Sequence, residues 1–120
     1  MTDHDTRVMH RHLPFPFPGK SFPNNLGAVV MLTVLDGHLP ALHVVHTPDN
    51  EWAVSDGIND PNVEGASMAT HLRHVVDRDP TLEELATLPC GFEANRDEAG
   101  EKWRITPFNW HAEGQVRWER

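Results

Sequence analysis

Apolar positions along the chain change period twice, and the changes mark out its elements. Leu26 to Leu35, LGAVVMLTVL, is nearly continuous in apolar residues and rich in valine. Such a run predicts a strand reaching Asp36 and covered on both faces. Asp36-Gly37 follows as a two-residue hairpin signal, because both residues tolerate positive φ. A returning strand is expected over 38–46, with Pro40 at its start or at a sheet edge, since proline donates no ladder hydrogen bond. Thr47-Pro48-Asp49-Asn50 predicts a turn. Glu51 to Ser55 predicts a short third strand with Trp52 and Val54 on one face. The first half thus reads as an antiparallel meander.

From Ala66 to Val76 the period becomes helical. Met68, Ala69, Leu72, Val75 and Val76 fall on one face, with Ser67, Thr70, His74, Asp77 and Arg78 opposite. Asp79-Pro80-Thr81-Leu82-Glu83-Glu84 then starts a second helix. Either Asp79 caps it with Pro80 in the first turn, or Thr81 caps it with Glu84 three residues on. Leu82, Leu85 and Leu88 face inward, and Pro89 stops the helix. Residues 91–106 return to a strand pattern, with GFEANRD and KWRIT flanking the polar turn Glu98-Ala99-Gly100-Glu101. The tail from Pro107 carries Trp110 and Trp118 and offers one more strand. Strands, then helices, then strands predict an α+β domain, an antiparallel sheet of five or six strands with two helices packed on one face.

Residues 1–12 are polar and without period, as in a flexible tail. LPFPFPGKSFP, 13–23, follows an extended path set by its four prolines. Phe15, Phe17 and Phe22 need cover, either from this domain or from a neighbouring chain. The chain therefore divides into a tail and arm, 1–25, and one domain, 26–120, and its 120 residues suit a single core.

Charge changes this picture. The net charge is −8, but residues 47–101 hold thirteen acids against three bases. A field of that sign repels nucleic acid and membranes and attracts a basic partner; it also keeps a chain soluble. The longest apolar run is too short to span a bilayer, and the N-terminus has no apolar signal segment. With Cys90 the only cysteine, these features predict a reducing cytoplasm.

Candidate chemistry is sparse. Ser55-Asp56-Gly57-Ile58-Asn59-Asp60-Pro61-Asn62 is rich in oxygen ligands, yet its spacing fails for a calcium loop. Ile58 occupies a ligand position, Pro61 breaks the run, and Glu64 arrives too early to close it. Turn chemistry accounts for the same residues. What remains is an acidic rim, Asp56, Asp60 and Glu64, beside Trp52, which serves either as an aromatic anchor for a partner or as core. His43 and His46 lie three apart on a strand, so they point to opposite faces and cannot share an ion. His71 and His74, three apart on the expected helix, with His74 on its polar face and His71 at the margin, are close enough to chelate, and with Asp77 one turn on they form the best metal candidate, though no fourth ligand is evident. Cys90 with His111 as base matches no cysteine-hydrolase signature. No phosphate-binding loop, nucleophile elbow or zincin motif occurs. No catalytic residue, resident metal or cofactor is expected.

The runs WAVSDGINDPN (52–62), HVVDRDPTLEELATLPCG (74–91), ANRD (94–97) and KW (102–103) resemble small bacterial immunity-protein-like domains, some encoded beside polymorphic toxins. The resemblance covers about residues 26–107 and rests on helix caps and turns, such as Asp79, Pro80, Pro89 and Gly91, so it transfers no active site. It implies a stoichiometric inhibitor that covers a basic toxin surface. The reading is therefore a non-catalytic protein-binding domain that docks through Trp52, Asp56, Asp60 and Glu64. Two rivals stand beside it. One is a metal-dependent enzyme using His71, His74 and Asp77; the other is a structural homodimer in which the Phe15/Phe17/Phe22 arm wraps a neighbour.

Overall fold

The structure, a computed structural model, describes residues 8–108. Six strands form one mixed sheet: β1 Gly27–Met31, β2 His43–His46, β3 Trp52–Ser55, β4 Ser67–His71, β5 Phe92–Asn95 and β6 Arg104–Pro107. Two short α-helices, α1 Leu32–Leu35 and α2 Arg73–Arg78, and a 3-10 helix, Pro80–Thr87, complete an α+β fold. The strand order is β4-β1-β3-β2-β5-β6. Every pair is antiparallel except β1 with β3, which run parallel with Val29 opposite Ala53.

The expected antiparallel meander is thus corrected, and the reason lies at Asp36-Gly37. The long apolar run leaves the sheet after Met31 and makes one helical turn, α1. Gly37, at φ +82°, sits just past that turn. Its N–H donates to the Val34 carbonyl, and the His38 N–H donates to Thr33. These two bonds are the Schellman pattern that ends a helix in a left-handed residue. An Asp-Gly pair serves a hairpin or a helix exit equally well, and here it is the exit. Without that hairpin, β2 does not return beside β1. It pairs instead with β3 across the turn at Thr47–Asn50, where Thr47 N–H donates to Glu51 O and Asn50 takes φ +63°. The β2–β3 hairpin then docks with β3 against β1.

The helix expected over Ala66–Val76 is also corrected. Ser67–His71 is the edge strand β4, paired along its length with β1, and only Arg73–Arg78 is helical. Ser67 and Thr70 are weak helix formers, and the otherwise open edge of β1 supplies hydrogen bonds that an isolated helical turn lacks. Met68 and Ala69, assigned by period to the core, lie exposed. Leu72, Val75 and Val76 are buried as the period requires.

Leu82, Leu85 and Leu88 recur every three residues, and in a 3-10 helix such positions align on one edge. All three are buried. Asp79 caps this helix by accepting from the Thr81 N–H, with Pro80 in the first turn. Alternate strand residues Ala28, Val30, Val44, Trp52, Val54 and Ala94 join these leucines and Val75 and Val76 in one buried cluster. The arm belongs to that cluster as well. Phe17 and Phe22 are buried and their rings lie 6.0 and 5.0 Å from that of Trp52, so this chain's own core covers them. Glu83 ties the arm down: it accepts from Ser21 Oγ and the Phe22 N–H, both at 2.8 Å, and from Arg73 at 2.9 Å. At the other end of the chain, β6 reaches Pro107, and residues 109–120 with Trp110 and Trp118 lie outside the described residues.

Candidate contact loop

Residues 56–66 connect β3 to β4, and Asp56 builds the base of this loop. Asp56 follows Ser55 at the end of β3, with its side chain fully buried. One carboxylate oxygen accepts the N–H groups of Ile58 and Asn59, both at 2.8 Å. The other accepts from Thr33 Oγ1 at 2.7 Å and Asn59 Nδ2 at 2.9 Å. Burial alone would raise the carboxyl pKa. The side chains of Asn59 and Thr33 and the two N–H groups outweigh it, lowering the pKa from 3.8 to about 2. Gly57 takes φ +72° in this turn, and a Cβ there would meet Leu42 Cβ at 3.2 Å. The oxygen-rich stretch is therefore an Asx-turn held to α1.

Beyond this base the loop turns outward. Asp60 accepts the Asn62 N–H at 2.9 Å, and Ala66 closes the loop by donating to Val63 O. Asp60 and Glu64 are exposed, as the charge pattern anticipates. Ile58 and Val63 are also turned to solvent, 69% and 58% exposed. The acidic composition drew attention away from these two residues. Their signal in the sequence is an isolated aliphatic between turn residues, where no strand or helix period places it inside.

The four residues expected to meet a partner thus separate. Asp60 and Glu64 share the exposed loop, while Trp52 and Asp56 lie inside the molecule. Trp52 is 2% exposed, surrounded by Phe15, Phe17 and Phe22 and stacked on the His46 ring at 3.9 Å. It is a core residue in this structure, and its buried Nε1 has no hydrogen-bond acceptor among the described residues.

The histidines also separate by element. His43 and His46 do face opposite sides of β2. His43 lies 2.6 Å from Glu93 Oε1 and 3.3 Å from Ser55 Oγ, whereas His46 packs on Trp52. His71 ends β4, while His74 and Asp77 lie on α2, so these three do not share the single helix expected of them. The rings of His71 and His74 meet edge to face at 5.5 Å, and Asp77 lies 3.7 Å from Arg73. Among the described residues, no group of three or more His, Cys, Asp or Glu side chains is arranged to hold a metal ion. Nor is any described helix long and apolar enough to cross a membrane. No protein-family model matches the chain, and no curated protein or solved structure matches it either.

Proposed function

We propose that this chain is a non-catalytic protein-binding domain that docks through the 56–66 loop, in the manner of an immunity protein acting in the cytoplasm. One observation carries the reading. A loop whose base is locked by the buried Asp56 holds Ile58 and Val63 in water, with Asp60 and Glu64 beside them. Aliphatic groups held in solvent on a fixed frame lose little conformational entropy on docking and gain by desolvation. Carboxylates around them attract a basic surface and speed encounter. The resemblance of residues 52–62 and 74–91 to immunity-protein-like domains supports a basic toxin domain as the partner.

The two parts of this surface separate in kinetics. Association with the polypeptide encoded beside this chain is measured at low and high salt. Asp60→Asn with Glu64→Gln lowers the on-rate at low salt, and Ile58→Ala with Val63→Ala raises the off-rate. Equal kinetics for wild type and both double variants would remove the loop from the interface.

A further inference from the structure

The thiol of Cys90 lies in a second constellation, unrelated to the loop. Cys90 is exposed, and its Sγ is 3.4 Å from His46 Nε2 and 3.9 Å from Asn50 Oδ1. The imidazole beside it is therefore His46; His111 lies outside the described residues. His46 is fully buried, and both of its ring nitrogens face carbonyl oxygens. Nδ1 is 2.6 Å from Leu88 O, and Nε2 is 2.7 Å from Asn50 Oδ1. The Asn50 amide cannot be turned to relieve this, because its Nδ2 donates to Leu13 O at 2.8 Å. A neutral imidazole has one N–H and can satisfy one of two acceptors. With the proton on Nδ1, the lone pairs of Nε2 and Asn50 Oδ1 face each other at hydrogen-bond distance. A proton moved from the thiol to Nε2 turns that contact into a second donated bond and leaves sulfur negative beside a ring that donates at both ends.

The surroundings favour this arrangement. His46 stacks on Trp52 at 3.9 Å with 14° between the planes, and the Phe15 ring meets it in a T-shaped contact at 4.8 Å. An aromatic face attracts a cation set on it. Among the described residues no carboxylate is bonded to Cys90 or His46. Glu51, next to Asn50, is turned to His12 at 3.0 Å and to Arg11. The thiol is thus the group placed to carry the balancing negative charge.

We propose that Cys90, His46 and Asn50 form a nucleophilic thiol site that takes low-molecular-weight disulfides. Cys90 Sγ, its proton held on His46 Nε2, attacks one sulfur of the disulfide. A new S–S bond joins Cys90 to one half, the original S–S bond breaks, and the other half leaves as a thiolate that recovers the proton from His46. The products are one mixed disulfide and one free thiol, with no further oxidant. This modifies the protein stoichiometrically and is independent of loop docking.

The probe is dithiodipyridine, a small disulfide whose leaving thione is coloured, applied at about pH 6. An ordinary thiol is below about 1% thiolate at that pH. Cys90 is the only cysteine, so the absorbance reports it alone. The native protein is expected to react at least tenfold faster than the same chain unfolded in urea, with one mass adduct. Asn50→Gly suits the positive φ of this position and is expected to slow the native reaction several-fold. His46→Gln is expected to bring it to the unfolded rate. A native rate no faster than that of the unfolded chain overturns the proposal, and this comparison needs no variant. An unchanged rate in Asn50→Gly overturns it as well.

Discussion

Thr33 Oγ1 donates to Asp56 Oδ2 across 2.7 Å, joining the helical turn after β1 to the loop after β3. The two strands run parallel as neighbours, so both connections leave the same end of the sheet. One buried carboxylate therefore sets the loop and anchors it to the frame.

Asp56 makes the fold sensitive to acid. Its carboxyl lies at about 2 in the folded protein against 3.8 ordinarily. A depressed carboxylate stabilises the fold above its unfolded pKa, and that contribution is lost as pH falls through the folded value. About 2 kcal/mol should disappear between about pH 4 and pH 2. Asp56→Ala should lower stability by about 3 kcal/mol at neutral pH, because Ile58, Asn59 and Thr33 lose their common acceptor. Urea unfolding of both proteins at several pH values checks this. The variant should show a weaker acid dependence.

Gly37 ends α1 in the left-handed region. Gly37→Ala should cost about 1 kcal/mol through backbone strain. A Cβ there would also meet Arg78 Nη1 at 3.0 Å, and Arg78 already donates to the Val34 and Leu35 carbonyls. Thermal unfolding should show the loss, while Gly100→Ala, with open space around its Cβ, lacks the Arg78 contact and carries the backbone cost alone.

Arg96 is a buried cation whose three guanidinium nitrogens all donate hydrogen bonds. It donates to Ala41 O through Nε and Nη2, to Thr81 Oγ1 at 2.9 Å and to Asp79 Oδ2 at 2.7 Å, and its guanidinium lies 4.0 Å from the Trp103 ring centre. Removing one member of such a buried group leaves the others unpaired. Arg96→Ala should cost about 3–5 kcal/mol. Arg96→Lys should recover little of that, because a single ammonium cannot match the planar fork. Chemical denaturation of the two variants gives the comparison.

Glu83 holds the proline-phenylalanine arm. Burial works against its charge, but Arg73, the Phe22 N–H and Ser21 lower its pKa below the ordinary 4.5. Its contribution is present above that value and fades as the pH falls below it. Glu83→Ala should free the arm, which limited proteolysis would reveal as faster cleavage within residues 13–23. An unchanged cleavage pattern would count against this anchor.

Much of the fold was legible where local chemistry permits one outcome. The turn at Thr47–Asn50, the buried Leu82-Leu85-Leu88 series and the β5–β6 hairpin all follow from residue type and spacing, while of the two helix caps the sequence allows, Asp79 and Thr81, the chain uses Asp79. The misreadings occurred where two structures share one local pattern. Asp36-Gly37 suits a hairpin or a helix exit, and Ser67–His71 can follow either period until a neighbouring strand supplies hydrogen bonds. At the loop, exposed Asp60 and Glu64 were legible from charge. The inward turn of Asp56 was not, since Thr33, which ties it to α1, is far away in sequence. The pairing of Cys90 with His46 was hidden for the same reason, since β2 and the exit from the 3-10 helix meet only in the folded chain.

The insertion of β3 between β1 and β2 also sets an order of assembly. β1 emerges from the ribosome well before either strand that flanks it. Its valines must wait as an unpaired, sticky segment until the hairpin that follows has been made. Early folding should therefore centre on that hairpin, with the first strand of the sheet recruited last among the central three.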